Sequence, residues 1–241
     1  MMMNVLHSAP RIDGARIAVV LESKFIPEEI WAYLSGFPLL GAEVELISRL
    51  WYGDHRPAST IFYSDADPSD SEPWTSPQQV EVRRDISQVR PGDYAAVIMA
   101  ANYTSVRLRF PGEIPTDPEE FAEFDPWQHV QSAPVVRFFA EAMQDRSIIK
   151  GLLCHGLWIL TPNPRLLRGR KVICHSVVMP DIINCGAVIT LTPDRVVTDD
   201  DLVSGFSKHQ VVPFMAAIAQ RISAIREGAH SGVAAPMNPY G

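Results

Sequence analysis

The sequence predicts an α/β fold, with a mainly parallel central sheet and helices on both of its faces. Three observations lead there. Short, uniformly apolar runs, RIAVVL (16–21), YAAVIM (94–99) and the run entering GLLC (148–153), have the character of strands buried on both faces of a parallel sheet. Segments with apolar residues at helical intervals separate or follow them. The composition, 46% hydrophobic and 20% charged over 241 residues, is that of a packed core and not of a disordered chain.

Taken in order, residues 1–14 read as a loose leader and 16–21 as the first strand. The helix that follows starts at Pro27, carries Glu28 and Glu29 in its first turn and closes at Gly41, before a second strand at 44–47. Residues 51–79 are rich in Pro, Ser and Asp and show no sustained period. They predict a long irregular loop, packed on the surface or against a partner subunit because Tyr63 and Trp74 are costly to leave in water. Residues 80–82 predict a short edge strand. After the turn Pro91-Gly92-Asp93, the strand 94–99 ends at Ala100-Ala101-Asn102. A second irregular segment, 110–127, leads to a helix at 129–145. Beyond residue 160 the pattern gives a strand at 171–174, a short helix at 181–187 closed by Gly186, a strand at 188–191, a Thr/Asp turn, and a further apolar stretch at 202–204. An amphipathic helix at 214–226 and a polar tail at 227–241 complete a single domain, whose core spans about 16–226. Open α/β sheets bind ligands at the carboxyl ends of their strands, so the ends at Leu21, Met99 and Leu153 should converge on the site.

The formal charge of −7 argues against a nucleic-acid surface, which needs clustered Lys and Arg. Three cysteines without a paired framework suit a reducing compartment. No apolar run approaches the ~20 residues that span a bilayer. The expectation is a cytoplasmic protein acting on a small molecule, without nucleic-acid or membrane partners.

The chemistry centres on IIKGLLCHGLWIL, 148–160. An apolar strand enters Cys154-His155, Gly156 follows, and an apolar segment of helical character leaves, as at a strand-to-helix turn that lifts a nucleophile above a sheet. A thiol there would face a helix amino end, which favours thiolate. Taken alone, Cys154 fits a buried structural cysteine equally well, since free cysteine is among the most buried residue types. His155 could exchange the proton with Cys154, or simply hydrogen-bond within the turn. Glu29, just past the first strand, could hydrogen-bond the sulfur or merely stabilise a helix amino end. Arg107 and Arg109, at alternating positions after the strand that ends at Met99, could receive a substrate carboxylate. Cys154, Cys174, His175 and Cys185 fit no familiar zinc spacing, and no phosphate-cradling glycine motif is present, so neither a metal nor an organic cofactor is expected.

Taken together, Glu29, YAAVIM, GLLCHGLWIL, DIINCGA and VSGFSKHQVVPFMAAI resemble the ThiJ/PfpI family, related to the class I glutamine amidotransferase domains. The resemblance covers about 16–226, most weakly in the two irregular segments. It implies a flavodoxin-like sandwich, Cys154 as nucleophile, His155 as its neighbour in a triad, and Glu29 as the carboxyl beside the thiol. It also implies a homodimer or higher homo-oligomer without a cofactor. Two positions depart from the pattern. Ala101 and Asn102 stand where the family usually has Gly-Gly, one of which supplies an oxyanion donor. Val106 stands where peptidase-like members use a glutamate from a neighbouring subunit, leaving Glu113 and Asp181 as alternative orienters of His155. The resulting expectation is a cysteine-dependent hydrolase or glyoxalase/deglycase-like lyase for a small carbonyl or amide-like substrate. Ala101, Asn102, Gly156 and Arg107 would line its substrate and oxyanion site. The alternatives are a redox or electrophile sensor whose Cys154 is oxidised, and a chaperone-like homo-oligomer.

Overall fold

The computed structural model describes residues 6, 8–50, 60–65 and 77–231. Among these, the strands in chain order are β1 (Arg16–Val20), β2 (Glu43–Ser48), β3 (Ile61–Tyr63), β4 (Gln79–Glu81), β5 (Arg84–Asp85) and β6 (Ala96–Met99), then β7 (Ile149–Leu153), β8 (Lys171–Val172), β9 (Val188–Ile189), β10 (Val196–Asp199) and β11 (Leu202–Gly205). The helices are α1 (Pro27–Leu39), α2 (Thr104–Leu108), α3 (Pro118–Ala122), α4 (Pro126–Gln131), α5 (Pro134–Ala142), α6 (Met179–Asn184) and α7 (Val211–Ser231).

Alternation along β1 divides the interior in two. Ile17 and Val19 pack with Tyr33 and Phe37 of α1 and Phe214 and Ile218 of α7. Ala18 and Val20 face the other way, toward Val135, Val136 and Phe139 of α5. A period-two strand covered on both faces must be apolar throughout, which is why RIAVVL shows no polar alternation. The main sheet has seven strands in the order β10-β11-β7-β6-β1-β2-β5. Its pairings are parallel except that of β10 with β11. The expected mainly parallel α/β architecture is therefore what the chain adopts, and β1, β6 and β7 are neighbours whose carboxyl ends open on one edge. At Gly151 a Cβ would lie 2.9 Å from Phe214 and from Ile218, so the glycine lets α7 press directly onto β7.

At the opposite end of β7, Lys150 is completely buried. Its Nζ donates to the Asp201 carboxylate and, at 2.9 Å, to the Asp145 carbonyl. Arg170 joins Asp201 (2.7 Å) to Asp199 (2.6 Å). A buried cation is tolerated here because it donates to a carboxylate and to a carbonyl, the first of which is shared with Arg170.

Several expectations are corrected. Residues 8–14 are no loose leader: Ile12 is buried, and its N–H donates to Leu40 O at 2.8 Å. Within 51–79, residues 61–63 form β3, which pairs antiparallel with β4 in a separate ribbon, so 80–82 does not edge the main sheet; β5 does. The rest of that segment, 51–59 and 66–76 with Trp74, lies outside the described residues, as do 1–5, 7 and 232–241. Segment 110–127 contains α3 and the start of α4, each capped by an aspartate, Asp117 and Asp125. The helix expected at 129–145 is two, because Pro134 cannot continue α4 and instead begins α5. Strands 171–174 and 188–191 shrink to β8 and β9, a parallel pair beside the main sheet. The stretch expected as a Thr/Asp turn, between 191 and 202, contains the whole of β10. The final helix extends on both sides of 214–226.

Candidate active site

β7 stops at Leu153 because Cys154 turns into the left-handed region, at φ 58°. A side chain with a Cβ is strained there, and the turn is held from both sides. The Cys154 N–H donates to Gly205 O at 2.8 Å, and its carbonyl accepts from the His175 N–H at 3.3 Å. Gly156 closes the turn against β6, where a Cβ would lie 3.1 Å from Met99 O. The departing segment, Gly156–Leu160, is a short 3-10 helix. Ser105 of α2 clamps the elbow from above, donating to His155 O at 3.0 Å.

Glu29 sits in the first turn of α1 and is wholly buried, not exposed at a helix end. Its Oε1 accepts from the Tyr33 hydroxyl, one helical turn on, at 2.8 Å. The Ala101 N–H donates to both carboxyl oxygens, at 2.9 and 3.1 Å. These bonds favour ionisation, yet burial outweighs them and pushes the carboxyl up to about 8. Glu29 is therefore mostly protonated at neutral pH. Its charge, when present, reaches the Cys154 sulfur.

Cys154 is 5% exposed. Burial, then the Glu29 charge, push its thiol up to about 12, against the pull of the His155 and Asn102 backbone N–H groups. The expected helix-end activation is thus overridden: one 3-10 turn cannot offset the lost hydration. The Cys154 thiol and the Glu29 carboxyl meet here as a pair in which both groups are mostly protonated at neutral pH.

The His155 imidazole belongs to an aromatic cluster: it stacks on Trp158 (ring centroids 5.0 Å apart, 9° between planes) and on Tyr103 (5.4 Å, 28°), which also touch each other at 6.3 Å, with His175 edge-on at 5.1 Å. Neither ring nitrogen has a hydrogen-bond partner among the described residues. Burial and then His175 push it down to about 4, so the ring is neutral over most of the working pH range.

Neither alternative orienter of His155 is drawn to it: Glu113 is exposed, and the Asp181 carboxylate accepts from Trp158 Nε1 at 2.7 Å. Val106 packs against the second core. Of the expected oxyanion donors, Ala101 is committed to Glu29, leaving the Asn102 N–H directed to the sulfur. Arg107 lies 3.6 Å from Glu22, and Arg109 lies over Trp158 and donates to Thr161 at 2.9 Å. Tyr33, Tyr103, Trp158 and His175 complete the site without having been expected in it. Tyr33 alone carried a signal, its i+4 spacing from Glu29. Among the described residues, no three His, Cys, Asp or Glu side chains are grouped to hold a metal ion.

No family model matches the sequence, and no curated protein matches it significantly. Solved structures do match. The chain is similar to a ThiJ/PfpI domain protein from Brachyspira murdochii, with 14% identity and a TM-score of 0.62 over 88% of this chain and 98% of that one. A ThiJ/PfpI family protein from Pseudomonas syringae matches with 16% identity and a TM-score of 0.59 over 98% and 83%. The oxidized form of Toxoplasma gondii DJ-1 matches with 13% identity and a TM-score of 0.59 over 92% and 100%. At these identities the likeness is one of fold, and the fold is that of the ThiJ/PfpI and DJ-1 proteins.

Proposed function

We propose that this chain, carrying the ThiJ/PfpI and DJ-1 fold, is a cysteine-dependent enzyme whose Cys154 adds to the carbonyl carbon of a small aldehyde or amide-like substrate. The observation that supports this most is the fully buried Glu29 beside a cysteine held at φ 58°. A carboxyl held near 8 is matched to neutral pH for proton transfer in both directions, whereas an imidazole held near 4 is a poor acceptor for a thiol proton. Glu29 thus takes the role that the triad reading gave to His155. Its ionised fraction accepts the thiol proton as the sulfur–carbon bond forms and the carbonyl π pair moves to oxygen. It then returns that proton to the alkoxide, giving a hemithioacetal from an aldehyde. The N–H groups of Asn102 and His155 steady the sulfur, and the His155 ring, fixed against Tyr103 and Trp158, walls the site. The low exposure of Cys154 restricts the substrate to a compact molecule. A homo-oligomer belongs to this reading, supported by the exposed Phe110, Ile114, Phe121 and Trp127.

A redox sensor is the second reading. What favours it is that the same two N–H groups would bind the oxygens of an oxidised Cys154, and that the similar Toxoplasma gondii DJ-1 was solved oxidized. One experiment separates the two. Product formation from methylglyoxal and from small amides is followed across pH, together with mass spectrometry after mild peroxide. The enzyme reading expects turnover that rises with pH through a midpoint near 8, toward a plateau above it, as Glu29 ionises. No product from either substrate class, with selective oxidation of Cys154, replaces it with the sensor reading.

A further inference from the structure

Two non-glycine residues beside the elbow share the left-handed conformation, Lys24 at φ 75° and Asn102 at φ 65°. Both side chains end on one carboxylate. Lys24 Nζ lies 3.1 Å from Asp65 Oδ1, and Asn102 Nδ2 donates to Asp65 Oδ2 at 3.0 Å. Asp65 is itself fastened to the first loop: its N–H donates to Phe25 O at 3.0 Å, and the Lys24 N–H donates to Tyr63 O at 2.7 Å. Phe25 and Ser64 also form a parallel bridge. The ribbon end at 63–65 is thereby tied to the carboxyl end of β1 and to the loop after β6.

Resting on the reading of Cys154 as the reactive centre, we propose that Asp65 is a positioning residue that locks Asn102 in the left-handed conformation aiming its N–H at the Cys154 sulfur. Asparagine enters that region more readily than other side chains but less freely than glycine. Its neighbours are already fixed: Ala101 N–H is held by Glu29, and the Thr104 hydroxyl donates to Ala100 O at 2.5 Å and to Ala101 O at 3.0 Å. What remains free is rotation at Asn102 itself, and a side-chain amide pinned by a carboxylate removes it. A charged acceptor makes that hydrogen bond stronger than a neutral one. Lys24, bound to the other oxygen, keeps Asp65 from turning away. The clamp supplies in this chain what an intrinsically permissive residue would supply at the same turn.

The test is a double-mutant cycle read by the rate at which iodoacetamide labels Cys154, with Cys185 labelling in the same samples as the internal control. Asp65→Ala is expected to change the Cys154 rate about tenfold in the natural chain, a factor corresponding to one charge-assisted hydrogen bond. In the Asn102→Gly background, where the backbone needs no clamp, the same substitution should change it by less than about twofold. Asp65→Asn, which keeps an acceptor for Asn102, should recover most of the loss, and the Cys185 rate should stay constant throughout. Equal effects of Asp65→Ala in both backgrounds would overturn the proposal, since a general loosening of the ribbon acts regardless of residue 102. Selective Cys154 labelling that ignores Asp65 overturns the proposal alone. Absence of selective Cys154 labelling in the natural chain overturns the reactive-centre reading as well.

Discussion

Glu29→Ala is expected to destabilise the fold by about 4–6 kcal/mol, and Glu29→Gln by less than about 1.5 kcal/mol, both measured by urea unfolding. Alanine orphans the Ala101 N–H and the Tyr33 hydroxyl, two buried donors at roughly 1–3 kcal/mol each, and leaves a cavity besides. Glutamine keeps an acceptor oxygen for both donors. The two variants should also differ in their response to pH. Unfolded, Glu29 ionises at its ordinary 4.5; folded, it holds its proton to about 8. The folded state therefore carries the extra proton between those values. Its stability contribution is full below 4.5 and is lost as pH rises through 8, at up to about 1.4 kcal/mol per pH unit. His155 acts in the opposite sense, losing stability as pH falls from 6.5 toward 4, because only the unfolded chain takes up that proton readily. The two slopes oppose at lower pH, and above 6.5 only that of Glu29 persists. Wild type should thus lose about 2 kcal/mol relative to Glu29→Gln between 6.5 and 8. Parallel pH profiles for the two proteins would rule out a buried neutral carboxyl.

Cys154→Ser should reduce turnover of the small carbonyl substrate by about a thousandfold or more, with a urea midpoint within about 1 kcal/mol of wild type. Serine is close to cysteine in size and can sit in the same turn, under the same N–H groups and against the same Gly156. It differs in that its hydroxyl is far harder to ionise, and Glu29 at about 8 cannot compensate for that. A large loss of rate without loss of fold marks a chemical role. Matched losses of both would mark Cys154 as a packing residue.

The sequence carried the parts of this fold that depend on burial pattern. RIAVVL, YAAVIM and the run before Cys154 could be strands covered on both faces and little else, and their adjacency in the sheet places the three loop ends together. β10 was hidden because its solvent-facing residues and the Asp200 turn read as polar loop. α4 and α5 were fused because apolar spacing runs on through Pro134. At the site, Cys154 and Glu29 were legible as residue types at strand ends, but the value that each group's environment imposes was not. No local spacing announces that Glu29 is wholly buried, since that depends on α1 lying over the ends of β1 and β6. Asp65 was beyond reach for the same reason: it is tied to Asn102 across 37 positions of chain and lies in a segment without a period. The lowering at His155 comes from burial and then from His175, both products of tertiary packing.

Peptide mapping of the three cysteines after brief iodoacetamide or peroxide treatment shows whether the site, and not mere accessibility, determines which thiol reacts. Cys185 is the most exposed thiol at 9%, against 5% for Cys154 and 0% for Cys174. Cys154 is expected to be modified first, ahead of the more accessible Cys185, and Glu29→Gln, which keeps the acceptor for both donors but cannot take the thiol proton, should abolish this preference. Modification in order of exposure, with Cys185 first and Glu29 without influence, would contradict that expectation.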